Sequence, residues 1–230
     1  MRIIVTCGPS YEPIDGARRM TNMSTGKLGV TLANFLTDAD QEVICLKGDG
    51  STYPGAVRAA RVETFATNDD LAQLLESISR QESIDAVFHA AALCDYRVDQ
   101  ALSAAGEAMS SAKFATRDGR LHLILAPAMK VLPRMRGWFP DARIVGWKYE
   151  LAGTCDDAFA KAWKQLRDGQ TDACVLNGAA YGDGFAICHA GGRVQKCSDT
   201  PDLCKMLVEL LHFPTSASAA PARFPLADSN

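Results

Sequence analysis

Residues 7–29, CGPSYEPIDGARRMTNMSTGKLG, separate an apolar run from a segment of helical pattern, and the reading of this stretch decides the fold. Before it, residues 2–6 (RIIVT) form an Ile/Val run suited to a strand buried on both faces; after it, residues 27–36 carry apolar positions at helical spacing. A strand-to-helix connection in an α/β unit takes about two to six residues, and this one is roughly three times that length. Such an excess implies a role beyond linkage. Gly8 and Pro9 are turn formers, Glu12-Pro13-Ile14-Asp15 follows, and Arg18 and Arg19 lead to Asn22, Ser24, Thr25 and Gly26 at the helix entrance. Ser10 lies in the same loop. Cations, hydroxyls and free N–H groups at a helix N-terminus suit an anion. An ordinary surface excursion ending in a Ser/Thr cap explains the local residues equally well. Two sharper motifs are excluded. A P-loop needs Gly where Thr21 stands and Ser or Thr where Leu28 stands, and no G-x-G-x-x-G follows the strand.

Outward from this stretch, strand-like and helix-like segments alternate. Residues 41–46 (QEVICL) read as a second strand, followed by a Gly/Ser/Pro loop over residues 47–54. Asn68, Asp69 and Asp70 are expected to cap a helix with Leu71, Leu74, Leu75 and Ile78 at helical spacing, and residues 84–89 (IDAVFH) read as a third strand. This rhythm predicts a parallel sheet with right-handed crossovers, in which ligands bind outside the carboxyl ends of the strands. The 7–29 loop and residues 90–97 (AAALCDYR) both lie at such ends. Ala90, Ala91 and Ala92 let a ligand approach the backbone, and Asp95 and Arg97 place opposite charges at the rim. A tightly packed strand exit with a surface ion pair is the plainer reading.

Residues 98–112 are rich in Ala, Ser and Gly with little periodicity, and Lys113 follows them. They suit a mobile lid over an anionic substrate, or a linker whose lysine is solvated. A turn at residues 117–120 precedes an alternating strand at 121–125. Residues 129–138 read as a short helix interrupted at Pro133, and residues 143–147 as a strand. A helix at 155–167, capped by Thr154, presents Lys161 and Lys164 on one face, an arrangement usually found on wet surfaces. Then come a strand at 172–176 ending at Asn177, a hairpin around Gly191-Gly192, and a last helix at 202–211 started by Thr200-Pro201. The chain thus reads as one domain over residues 1–212, with an Ala/Pro/Ser-rich tail at 213–230 expected to be disordered or loosely attached.

Composition narrows the function classes. The 230 residues are 47% hydrophobic and 22% charged, as in an ordinary globular chain. A net charge of -3 argues against nucleic acid as a partner. No apolar run reaches the roughly 18 residues of a membrane span, and no signal segment precedes the first strand, so a cytoplasmic protein without membrane contact is expected. The eight cysteines have irregular spacing without C-x-x-C, which favours reduced, packed thiols; the four histidines are too scattered for a metal cluster.

Several of these motifs, in this order, resemble the phosphopantothenoylcysteine synthetase family. The resemblance rests on Val5-Thr6, Gly8-Pro9-Ser10, Glu12-Pro13-Ile14-Asp15, Arg18, Thr21-Asn22 and Ser24-Thr25-Gly26-Lys27. It continues through Ala90-Ala91, Asp95-Tyr96-Arg97, Lys113, Gly146-Trp147 and Asn177, covering about residues 2–212. It implies an α/β fold with a Rossmann-like parallel, partly mixed sheet and helices on both faces. It implies a ligase that joins 4′-phosphopantothenate to L-cysteine through an acyl-nucleotide, with release of pyrophosphate, in coenzyme A biosynthesis. Mg2+ and CTP or ATP are the implied cofactor and co-substrate, small molecules the implied partners, and a homodimer the implied assembly. Asn22 and Lys113 take the family's catalytic positions. Gly8, Ser10, Arg18, Asn22, Ser24, Thr25 and Gly26 fall in the phosphopantothenate loop. Ala90, Ala91, Asp95, Lys113, Met129, Lys130, Val131 and Trp147 would face the nucleotide, with Lys161 and Lys164 competing for one helix position. The metal ligands are left open. A single lysine in the Lys113-Phe114-Ala115-Thr116 flap and the Trp147-Lys148-Tyr149 segment mix bacterial and eukaryotic features, so CTP and ATP both stand. A stand-alone form lacking the flavin-binding decarboxylase domain is expected. A non-catalytic binding relative on the same fold is the alternative, and a dehydrogenase is disfavoured because Tyr96 and Lys113 lack Tyr-x-x-x-Lys spacing.

Overall fold

A computed structural model of the chain describes residues 1–110 and 112–212; the tail at 213–230, expected to be loose, lies outside the described residues. The first half contains β1 (Arg2–Cys7), β2 (Tyr11–Pro13), β3 (Arg19–Thr21), α1 (Lys27–Asp38), β4 (Glu42–Gly48), β5 (Arg61–Phe65), α2 (Asn68–Gln81), β6 (Ala86–His89) and β7 (Tyr96–Leu102). The second contains β8 (His122–Pro127), α3 (Leu132–Trp138), β9 (Arg143–Tyr149), α4 (Cys155–Asp168), β10 (Ala173–Gly178), β11 (Gly182–His189), β12 (Val194–Cys197) and α5 (Thr200–Leu210).

Eight strands form one sheet in the order β12-β11-β10-β9-β6-β1-β4-β5. All neighbours from β10 to β5 are parallel, and β11 and β12 close one edge antiparallel, so the sheet is the partly mixed Rossmann-like one expected. The central position of β1 follows from its composition, since Ile3, Ile4 and Val5 are wholly buried and only a strand covered on both faces can use such a run. Side chains alternate across it: Ile3, Val5 and Cys7 pack with α1 and α5, while Ile4 packs with α2 and α3. Helix α4 covers the same face as α2 and α3, over Cys174 and Leu176.

Several local expectations are corrected. The cap of α2 is Thr67, whose hydroxyl accepts from the Asp70 amide while the Asp70 carboxylate accepts from the Thr67 amide, so the Asn68 side chain is released for another purpose. Pro133 starts α3 instead of interrupting it, because a proline in the first turn removes no helical hydrogen bond. The half-exposed edge strand β5 and the short pair β2–β3 are unanticipated, since neither is apolar enough to stand out. Part of the weakly patterned region after residue 97 is β7, paired antiparallel with β8 in a separate two-stranded sheet.

Helix α1 meets β1 at Gly29, where a Cβ would lie 2.2 Å from the Cys7 Cβ. Close approach of helix to strand therefore requires glycine here. Gly29→Ala is expected to lower unfolding free energy by ~1–3 kcal/mol, because the first turn must back away from the strand. Urea unfolding checks this, and an unchanged midpoint would reject it.

Candidate functional site

The loops leaving β1 and β6 are sewn together by backbone. The Gly8 carbonyl accepts from the Ala92 amide at 2.9 Å, and the Ser10 amide donates to the Ala92 carbonyl at 3.1 Å. The same carbonyl accepts from the Asn22 side-chain amide at 2.9 Å. Gly8 reaches this geometry with φ 78°, and a Cβ there would run into Ser51.

Asn68, 2% exposed, adds a second knot. Its carbonyl oxygen accepts from the Ser10 hydroxyl at 2.7 Å, and its amide donates to the Cys94 and Met129 carbonyls, each at 2.9 Å. One side chain thus ties together the loops after β1, β6 and β8. The Ser10 hydroxyl also accepts from the Cys94 amide. Ser10 and Gly8, both predicted to bind substrate, are consequently buried supports beneath the site instead of open groups.

Two pockets flank this seam. The larger, about 380 Å³, lies between α3 and α4 and is bordered by Ala91, Asp95, Met129, Lys130, Val131, Trp147, Lys161 and Lys164. Eight predicted nucleotide-facing positions are therefore brought together. Gly146 packs beneath two of the pocket's lining residues: a Cβ there would meet the Gln165 and Leu132 side chains. Trp147 differs from expectation in one respect: its side chain packs with the α1 and α5 cluster, and its carbonyl accepts from the Gln165 amide. The smaller pocket, about 280 Å³, lies at the start of α1 and is lined by Ser24, Thr25, Gly26, Lys27 and Ala90, among others. Gly26 caps α1 with φ 82° and offers no side-chain acceptor; the Lys27 amide donates to the Thr25 hydroxyl at 3.3 Å, while the Leu28 and Gly29 amides have no such acceptor among the described residues, so the start of the helix stays anion-friendly. Ala90 is thus separated from Ala91: the first borders the small pocket and the second the large one.

Charge in the large cleft is nearly balanced. Lys130 pairs with Asp95, Lys164 with Asp168, and Lys148 and Lys161 both reach Glu150, at 3.0 and 2.5 Å. Burial alone would raise the Glu150 carboxyl, but hydrogen bonds from Lys161 and Lys148 outweigh it and hold the group below its ordinary range. Three acids against four lysines leave a modest positive excess at the mouth. Arg18 and Lys113 line neither pocket. Arg18 instead holds Asp15 at 2.9 Å and donates to the Phe114 carbonyl, while the Gly16 amide donates to the Ala112 carbonyl and the Phe114 amide to Asp15. The segment bearing Lys113 is therefore clasped to the turn between β2 and β3.

Sequence reasoning missed Asn68 and His89. His89, at the end of β6, borders the large cleft and is 7% exposed; its Nδ1 lies 2.7 Å from the Thr6 hydroxyl. Burial pushes its pKa down to about 4. Position at a carboxyl strand end was the available signal for His89, and recognition of the Thr67–Asp70 box was the signal for Asn68.

Two outcomes follow from these contacts. Between pH 6.5 and about 4 the unfolded chain binds a proton at His89 that the folded chain refuses, so this group's stability contribution is full above 6.5 and is lost as pH falls through the window, up to ~3 kcal/mol. Urea unfolding of wild type and His89→Gln should diverge in slope across that window, and parallel pH profiles would reject the assignment. Asn68→Ala, which strands one hydroxyl and two carbonyls, should cost ~2–3 kcal/mol in the same measurement, whereas a loss below the scatter would show the knot to be dispensable.

Comparison with known proteins places the chain. Residues 1–197 match the family model described as the DNA/pantothenate metabolism flavoprotein C-terminal domain. The bifunctional coenzyme A biosynthesis protein CoaBC of Thermococcus kodakarensis is 29% identical over 177 residues, covering 76% of this chain and 41% of that protein. CoaBC of Mycobacterium tuberculosis is 28% identical over 194 residues, covering 81% and 44%. The chain thus spans less than half the length of these relatives. In fold it is similar to the DNA/pantothenate metabolism flavoprotein of Streptococcus pneumoniae, with a TM-score of 0.79, 22% identity and coverage of 92% and 98%. A Cab2 variant in complex with phosphopantothenate-cysteine superposes with a TM-score of 0.70 at 16% identity, covering 91% and 84%. With its family match running from the first strand to the end of β12, the chain belongs to the DNA/pantothenate metabolism flavoprotein C-terminal domain family.

Proposed function

We propose that this chain is a ligase joining 4′-phosphopantothenate to L-cysteine through an acyl-nucleotide, with CTP or ATP as the nucleotide. The observation that carries the reading is the pair of pockets on either side of the Ala90–Ala92 backbone, with Asn22 fastened between them. Chemistry of this kind asks the protein to place a carboxylate against an α-phosphate and keep water out, which is positioning more than covalent catalysis.

In this reading the phosphate of phosphopantothenate lies at the start of α1, near Ser24, Thr25 and the open amides. The nucleotide occupies the cleft between α3 and α4, its phosphates toward the lysines. The substrate carboxylate attacks the α-phosphorus, pyrophosphate leaves, and the cysteine amine then displaces the nucleotide from the acyl carbon. Asn22, whose amide hydrogen already points at the seam, orients the acyl group for both steps. Lys113, on the segment clasped by Asp15 and Arg18, reaches over the triphosphate from the rim. Mg2+ would enter with the triphosphate, held chiefly by phosphate oxygens and water. Exposed Tyr96 and Leu125 lie on one face of the β7–β8 sheet and would suit contact with a second copy of the chain, which is in keeping with a homodimer.

Purified protein given phosphopantothenate, cysteine, Mg2+ and each of CTP, ATP, GTP and UTP should release pyrophosphate with CTP or ATP. Nucleotide binding without release in any of the four would instead support a binding protein on the same fold. Asn22→Ala should slow turnover at least ten-fold while nucleotide affinity holds, and an unchanged rate removes Asn22 from the mechanism. Light scattering should give twice the chain mass, with a monomer mass rejecting the dimer.

A further inference from the structure

We infer that His89 contacts substrate directly: its Nε2–H donates a hydrogen bond to an acceptor on the nucleoside half of the nucleotide, an inference that rests on the ligase reading of the α3–α4 cleft. His89 reaches the cleft because it ends β6, and the alternation Val87, Phe88, His89 puts its ring on the face covered by α2 and α3.

Its proton position follows from its neighbour. The buried Thr6 hydroxyl oxygen accepts from the Ala91 amide at 3.3 Å and lies 2.7 Å from His89 Nδ1. No other acceptor for the Thr6 proton exists among the described residues, so Thr6 donates to Nδ1 and the ring proton sits on Nε2. Nε2 has no hydrogen-bond partner among the described residues, although the residue is only 7% exposed. A donor so placed, bordering a cavity, is satisfied by whatever fills the cavity.

The surroundings select which half of the nucleotide this is. Ala91, Leu93, Val131 and Leu132 give the cleft apolar walls beside His89, while Lys161 and Lys164 stand on α4. Phosphates go to cations, and the base and ribose to apolar walls with a few fixed polar groups. Nucleobase carbonyls, ring nitrogens and ribose oxygens are all acceptors for a neutral donor. Burial keeps the imidazole uncharged near neutral pH, so the donor does not draw the phosphates inward.

Calorimetry with CMP, AMP and inorganic triphosphate as probes tests this on the full chain. His89→Ala should weaken whichever nucleoside monophosphate binds wild type by about five- to ten-fold, the loss of one hydrogen bond. Triphosphate affinity should stay within about two-fold, and His89→Gln, whose amide can replace Nε2–H, should recover most of the loss. Unchanged monophosphate affinity in folded His89→Ala, or an equal loss for triphosphate, overturns the inference, as does failure of wild type to bind either monophosphate. Should His89→Ala not fold, the Nε2 nitrogen resonance of wild type decides: it moves on adding the monophosphate and not on adding triphosphate, and a stationary resonance overturns the inference. Wild type that binds monophosphate with the His89 effect but releases no pyrophosphate sinks the ligase reading alone.

Discussion

The backbone seam at Ala92 is what the rest of the site depends on. Parallel strands deliver their loops to one edge of the sheet but do not by themselves tell those loops where to stop. Here the Ala92 amide and carbonyl are both used by the 7–29 loop, through Gly8, Ser10 and Asn22. This extends the pairing of β1 with β6 beyond the strands themselves and divides the space above the sheet into two pockets. Asn68 then fixes a third loop to the same seam, from beneath and out of water's reach, where its hydrogen bonds are least contested.

The electrostatics of the larger cleft follow from that frame. A cleft lined by bare lysines would bind any polyanion tightly and release it slowly. Asp95, Asp168 and Glu150 give each lysine a carboxylate partner, which in the ligase reading would be exchanged for a phosphate. Exchange of one charged partner for another costs less desolvation than filling a cation's empty shell, and it favours ligands with the right spacing over those with merely enough charge.

Legibility in the sequence tracked burial. The Ile/Val run of β1, the periodicity of α2 and the Thr154 cap of α4 announced themselves because one local rule governs each. The overlong loop flagged the site, yet its residues were sorted by identity and not by depth. Ser10 and Arg18, which the family resemblance puts in the substrate loop, are engaged with Asn68, Asp15 and Phe114, contacts reaching from 3 to 96 positions along the chain. Asn68 read as a helix cap and His89 as the end of a strand, because the partners that give them their roles come from other loops and strands and the local pattern marks only their places in the elements. Edge strand β5, half-exposed with one edge unpaired and with Arg61, Glu63 and Thr64 interrupting its apolar residues, lacked the apolar signal that revealed the central strands.

The clasp between the β2–β3 turn and residues 112–114 has a mechanical meaning. Asp15, Gly16 and Arg18 grip the backbone of Ala112 and Phe114 on both sides of Lys113. The Lys113 backbone is therefore tied on both sides to the β2–β3 turn, so in the ligase reading the substrate loop and the lysine-bearing segment are held together. In the ligase reading, a substitution that loosens the turn at Asp15 or Arg18 would release the Lys113 segment as well, although neither residue borders a pocket.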